Sequence, residues 1–167
     1  MQYLQRYYTF GTSILESLAP FIPLLIIRLL LGWEFGESGY EKLTGPNWFS
    51  DITFPFPFNL LPASISWEIA KWFELIGSVA LVVGLATRFF SVSLMVLTIV
   101  AIASVHWPEH WNSLSELLMG YRIVDEDGDG FGNYKLPLIY LVLFLPLLFS
   151  GAGKISIDNL IYNKIKK

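Results

Sequence analysis

The sequence predicts an all-α membrane protein, a bundle of four transmembrane helices with both termini cytoplasmic. Composition is the first reason. Of 167 residues, 54% are hydrophobic and only 15% charged, against about a quarter charged in an ordinary soluble domain. Clustering is the second: mean hydropathy is +0.54, and the apolar residues gather in runs too long for ordinary core helices. The third is the short connection Ala86-Thr87-Arg88 between two such runs, which forces an antiparallel hairpin. One domain over residues 1–167 accounts for the whole length.

The first span is expected at 18–36. It is apolar apart from Arg28 and Glu34, and Pro20 and Pro23 fall in its opening turns, where a missing amide donor costs least. The second, 67–87, opens with Glu68, Lys71 and Glu74 at helical spacing. From Leu75 to Thr87 it carries no charge. The third, 89–107, is apolar until His106, and Pro108 ends it. The fourth, 136–152, closes on Gly151-Ala152-Gly153-Lys154. Residues 37–66 and 108–135 are then the outer loops. The first of these holds Phe54-Pro55-Phe56-Pro57-Phe58, whose extended backbone and aromatic rings suit the headgroup region. Six tryptophans fall near the same boundary and read as an aromatic belt.

Orientation follows the basic residues. Arg6, Arg88, Lys154, Lys164, Lys166 and Lys167 flank one side, while Lys42, Lys71, Arg122 and Lys135 stand among many acids on the other. The first side is expected in the cytoplasm, in a multi-pass protein of the bacterial inner membrane. No small-residue cleavage site follows the first apolar run, so a cleaved signal peptide is not expected. Cysteine is absent, which excludes disulfides, thiol catalysis and thiolate metal sites. The net charge is −3, and no nucleic-acid partner is expected; the lipid bilayer is.

The charged groups inside the spans are the candidate functional residues, because an ionisable side chain in hydrocarbon is costly. Arg88 marks the cytoplasmic surface, and Glu74 lies roughly 20 Å further along the helix. Glu34 is placed at comparable depth. Arg28 falls about 12 Å from Pro20, near mid-membrane, and is long enough to snorkel toward either carboxylate. Three readings stand: a structural Arg–Glu clamp between the first two spans, a polar pocket for a headgroup, a quinone or a proton, or snorkelling of Arg28 without a specific partner.

Three further features carry potential chemistry. His106, Glu109 and His110 formally match H-x-x-E-H, but Pro108 interferes with the continuous helix that a zinc protease requires. A looser outer-rim site for copper or zinc, with Glu116 as another donor, stands beside solvated interfacial imidazoles. Asp125, Asp127 and Asp129 occupy the first, third and fifth positions of an EF-hand-like loop, with Gly130 sixth. Leu136 stands where the bidentate glutamate belongs, so the loop reads as a weak calcium site or an acidic turn. Gly32 and Gly36 form a G-x-x-x-G pair, and Gly77 and Gly84 share a face; both serve packing within the bundle or a homo-oligomer.

Three blocks of sequence resemble the DoxX family of small four-helix membrane proteins. They are Arg28 with Gly39-Tyr40-Glu41-Lys42-Leu43, then Phe73-Glu74-Leu75-Ile76-Gly77 with Gly84-Leu85-Ala86-Thr87-Arg88, and finally Gly151-Ala152-Gly153-Lys154-Ile155-Ser156-Ile157-Asp158. More narrowly, Val100-Ala101-Ile102-Ala103-Ser104-Val105-His106 and Phe54-Pro55-Phe56-Pro57 are similar to the HvfX-type branch. That branch is associated with gene clusters making copper-binding, post-translationally modified peptides. The resemblance implies an accessory or partner-binding protein working with other membrane or periplasmic proteins. Related proteins are linked to quinol oxidase and to thiosulfate:quinone oxidoreduction. This chain has no flavin motif and no haem-binding histidine pair across spans. It is therefore not expected to be an enzyme on its own. A quinone-linked role implies a partner holding the redox centre, with Trp72, Phe73, Glu74 and His106 shaping the quinone pocket. A small-solute or metal transporter is a third alternative, which four spans allow only if two chains assemble.

Overall fold

The computed structural model of the chain describes residues 1–108, 111–119 and 133–166. Among these residues every regular element is helical: α1 (Gln2–Leu18), α2 (Ile22–Thr44), α3 (Ala63–Val83), α4 (Thr87–Ala101), α5 (Leu114–Met119), α6 (Lys135–Ser150) and α7 (Ile157–Ile165). A π-helical turn, Ile102–His106, continues α4. Four of the helices form a closed ring: α2 packs on α3, α3 on α4, α4 on α6, and α6 back on α2.

Sequence periodicity explains the ring. The buried positions of α2 are Arg28, Leu31, Gly32, Phe35 and Gly39, a spacing that keeps one face inward over three turns. Glycine lets that face approach α3. A Cβ on Gly32 would lie 2.6 Å from Val82 Cγ2, and one on Gly39 would lie 2.9 Å from the Leu75 backbone nitrogen. Gly36 faces Ser78 of α3, and Gly77 faces Leu94 of α4. The G-x-x-x-G pair therefore packs inside the bundle. Leu31, Phe35, Leu81, Leu94, Phe144 and Leu147 fill the centre, one or two from each helix of the ring.

The expected hairpin is present, with α3 and α4 joined by three residues, Gly84 to Ala86. Other expectations are corrected. The first span does not stop at residue 36, because α2 continues through Glu37, Glu41 and Lys42 to Thr44. Helices α1 and α7 occupy segments for which no helix was expected. The four expected crossings are met only in part. Among the described residues, only Thr87–His106 suffices alone by length and apolar content, and α1 with α2 suffices as a pair bent by 51°. The reason is charge: α2 holds Arg28 and four charged residues beyond it, and the first half of α3 carries Glu68, Lys71 and Glu74. The apolar α6 has 16 residues, or about 24 Å of helix against a hydrocarbon core of about 30 Å.

The segment between α2 and α3 folds back onto the bundle. Phe49 is buried with Trp67 and Ala70, and Phe54 packs against this group. The rings of Phe49 and Trp67 meet edge to face at 5.0 Å, and those of Phe49 and Phe54 at 5.1 Å. Trp67 thus belongs to the interior rather than to an aromatic belt, while Phe56 remains outside.

Candidate functional site

The charged residues separate to two ends of the ring. At the end where α3 turns into α4, Arg28 is almost wholly buried and donates from Nη2 to the carbonyl oxygen of Ile155 at 2.5 Å. Its guanidinium lies against Gly84, whose φ of +71° ends α3 in the left-handed conformation. Asp158 is the carboxylate whose charge acts on Arg28. It also accepts from the amides of Ala86 and Thr87 at 2.7 and 2.9 Å. Those two amides open α4, and a carboxylate suits a helix N-terminus. Arg88 donates from Nε and Nη2 to the carbonyls of Leu148 and Phe149, both at 3.1 Å, where α6 leaves acceptors unsatisfied.

The expected Arg28–Glu74 clamp is not formed. Ten residues of α3, about 15 Å of helix, separate Glu74 from the Gly84 level where Arg28 sits. Lys42 is the partner instead, with Nζ 2.8 Å from Glu74 Oε2. The same ammonium donates to Ser38 Oγ at 2.8 Å. An ion pair still joins α2 to α3, but at the opposite end. Glu34 does not meet Arg28 either: its carboxylate accepts a hydrogen bond from the Tyr140 hydroxyl of α6.

These two pairs line one cavity of about 790 Å³ between α2, α3, α4, α6 and the segment 45–62. Its walls include Phe35, Trp48, Phe49, Phe54 and Leu97, and His106 stands on it as well. Glu34, Glu41, Asp51 and Glu74 also line it, against Lys42 as the one lysine among the described residues. The cavity is therefore apolar and aromatic in its bulk, with a few convergent polar groups of acidic excess. That combination suits an amphiphile whose head presents hydrogen-bond donors or positive charge. Trp72 and Phe73, expected on a quinone pocket wall, are not part of this lining. Trp72 donates instead to Glu68 at 3.1 Å on the outer surface.

Of the outer-rim metal candidates, His106 lines the cavity, whereas Glu109 and His110 lie outside the described residues. The calcium-loop candidates Asp125, Asp127 and Asp129 also lie outside them. Ser113 caps α5 by accepting from the Glu116 amide at 3.2 Å, and the Glu116 carboxylate accepts from the Asn112 amide at 2.8 Å. Among the described residues, no three His, Asp or Glu side chains converge on a metal-sized site.

Sequence reasoning missed Tyr140 and Ser38 as site residues and saw Lys42 only as an outer-side basic residue and within a family-like motif. Lys42 had a local signal, since Ser38 and Lys42 are four apart and continue the spacing that buries Phe35 and Gly39. Tyr140 had none, being one aromatic in an apolar run.

The DoxX family model matches residues 23–107, just over half of the chain. The chain is 44% identical over 149 residues to a protein of Haemophilus influenzae described as uncharacterized, and the match covers 88% of each. No solved structure matches the chain. The matched segment contains Arg28, Glu34, Lys42, Glu74, Arg88 and His106, and ends before Tyr140 and Asp158.

Proposed function

The chain belongs to the DoxX family of membrane proteins, and from that footing we propose that it is a multi-pass accessory protein of the bacterial inner membrane. Its cavity holds a small amphiphile for the use of a partner protein. In this reading α2, α3, Thr87–His106 and α6 all cross the bilayer, with both termini cytoplasmic. At 23 and 21 residues, α2 and α3 are about 34 and 32 Å long, enough for a hydrocarbon core. Glu34, Lys42 and Glu74 face the cavity, so their charge is withheld from lipid. Ile26, Leu29, Ile76 and Val79 are exposed on the outer faces of the same helices. Arg88 and Lys154 share one end of the ring, which supports placing that end in the cytoplasm.

The observation that carries the proposal is the cavity itself, with the Glu34–Tyr140 and Glu74–Lys42 pairs set in aromatic walls. Mass spectrometry of the protein extracted in mild detergent tests it. One compound near equimolar amount is expected in the wild type and is lost in Ala101→Trp, which fills the cavity. An empty wild type, or equal recovery from a folded variant, overturns the proposal.

A second reading makes the protein a cofactor-free subunit of a quinone-linked oxidoreductase. The Tyr140–Glu34 pair supports it, because a phenol on a carboxylate offers a proton-exchanging contact to a quinone carbonyl. Saturable quenching of Trp48 by a short-chain quinone is then expected. The likeness to the HvfX-type branch, with His106 on the cavity wall, supports service to a copper-binding peptide. Isothermal titration with copper, with and without His106→Ala, checks that version, and metal uptake into sealed vesicles checks the transporter alternative.

A further inference from the structure

Helix α1 lies outside the ring, yet it is the most cleanly two-faced of the described helices. At 100° per residue its apolar side chains fill an arc of about 160°. The arc runs from Phe10 at one edge through Tyr7, Leu18 and Leu4 to Tyr8 at the other, with no polar residue inside it. Gln5, Arg6, Thr9, Thr12, Ser13 and Glu16 fall in the opposite arc. The apolar side is open, Tyr7 being 76% exposed. The polar side needs no protein partner: Thr9, Thr12 and Ser17 return their hydroxyls to carbonyls of α1 itself.

The break between α1 and α2 is a built bend. The amide of Lys154 donates to the Pro20 carbonyl at 3.2 Å, and the Lys154 ammonium stands 5.2 Å from the centre of the Phe21 ring. These contacts tie the break to the segment after α6 and hold α1 at 51° to α2. So α1 does not prolong the α2 crossing straight on.

We infer that α1 is an interfacial helix whose apolar face lies in the boundary between headgroups and acyl chains, at the bundle end that holds Arg88 and Lys154. The width of the face selects lipid over a second copy. A coiled-coil partner buries a narrow a/d seam and would leave Tyr8 and Phe10 in water, whereas a bilayer covers the full arc. Continuity agrees, because beyond the bend the apolar surface resumes at Ile22 and Ile26 of α2, both exposed. Tyrosines at positions 3, 7 and 8 suit the interface, with ring in the acyl region and hydroxyl in the headgroups. The only charged side chains on α1 are Arg6 and Glu16, of opposite sign, so apolar burial supplies the anchoring and anionic lipid is not required.

Because the chain has no cysteine, single-cysteine variants of the full chain carry one spin label each. In phosphatidylcholine proteoliposomes, labels at Leu4→Cys, Tyr7→Cys and Ile14→Cys are expected to show several-fold higher oxygen accessibility, relative to a water-soluble nickel chelate, than labels at Gln5→Cys, Thr9→Cys and Ser13→Cys. The contrast is expected to survive 1 M salt. Equal chelate access on both faces overturns the inference. So does dipolar broadening between labels at Tyr7→Cys, which would make a second copy the occupant. A contrast that appears only when anionic lipid is added would overturn the apolar anchoring.

Discussion

Replacing Gly84 by alanine tests the packing of the α3–α4 turn against the buried arginine. The new Cβ would sit 1.8 Å from Arg28 Nη1, 3.0 Å from Cζ and 2.5 Å from Ser156 Cβ. None of these is a van der Waals distance, so the guanidinium must leave. Its bond to the Ile155 carbonyl goes with it, and a hydrogen bond to a charged group is worth about 1.5–3 kcal/mol. Alanine held at φ +71° adds about 1–2 kcal/mol of left-handed strain. The expected loss is therefore about 3–5 kcal/mol, a large part of the ~5–15 kcal/mol that holds a typical domain folded. Reversible SDS titration in mixed micelles, followed by helical circular dichroism, measures it. The discriminating step repeats Gly84→Ala in an Arg28→Met background, where the stem is kept and the guanidinium is gone. Strain and the Ser156 contact are common to both backgrounds and cancel, leaving a coupling of about 1.5–3 kcal/mol. An equal cost in both backgrounds would refute the collision.

Three further outcomes follow from the same geometry. Lys42→Met leaves the buried Glu74 carboxylate without its ion-pair partner and is expected to cost about 3–5 kcal/mol in that titration; adding Glu74→Leu is expected to restore most of it. Asp158→Ala frees the amides of Ala86 and Thr87 at the start of α4, and a loss of about 1–2 kcal/mol is expected, visible as faster proteolysis of the α7 tail. Tyr140→Phe removes one hydroxyl from the cavity wall. It is expected to reduce ligand occupancy while stability changes by only about 1 kcal/mol, read by mass spectrometry and melting on one sample.

Hydropathy located the ring helices because long apolar runs have few other uses, and the three-residue link at Gly84 left the α3–α4 hairpin no alternative. Helix ends were harder. The second half of α2 reads as loop because Glu37, Glu41 and Lys42 are charged, and only the burial of Phe35 and Gly39 shows that the helical face continues. That one boundary error also hid the site. With α2 ended at residue 36, Lys42 belongs to a loop, and Arg28 becomes the one cation that the first span offers to Glu74. In the fold the two are about 15 Å apart along α3, and the extra two turns of α2 deliver Lys42 to the carboxylate. Separation along one helix was legible in the sequence; that Arg28 reaches the α3–α4 turn, and that Lys42 carries the charge matching Glu74, was not. α1 escaped notice for a different reason, since its polar and apolar residues alternate too quickly for a hydropathy window and separate only around the helix axis.

The polar residues at the two ends of the bundle divide by what they meet. At one end Arg28, Arg88 and Asp158 meet backbone: carbonyls of Ile155, Leu148 and Phe149, and amides of Ala86 and Thr87. Backbone groups at helix ends are fixed in place and cannot be displaced by a ligand, so this end joins α2, α4, α6 and the C-terminal segment into one piece. At the other end Glu74, Lys42, Glu34 and Tyr140 meet one another across a cavity, through side chains that can exchange one partner for another. Stability and function should therefore separate along the bundle axis. Substitutions at Gly84 or Asp158 are expected to lower the folded fraction while each folded molecule keeps its ligand. Substitutions at Tyr140 or Ala101 are expected to do the reverse. A Gly84→Ala protein that folds fully but loses its ligand would show that the two ends are coupled through α3, and the division would fail.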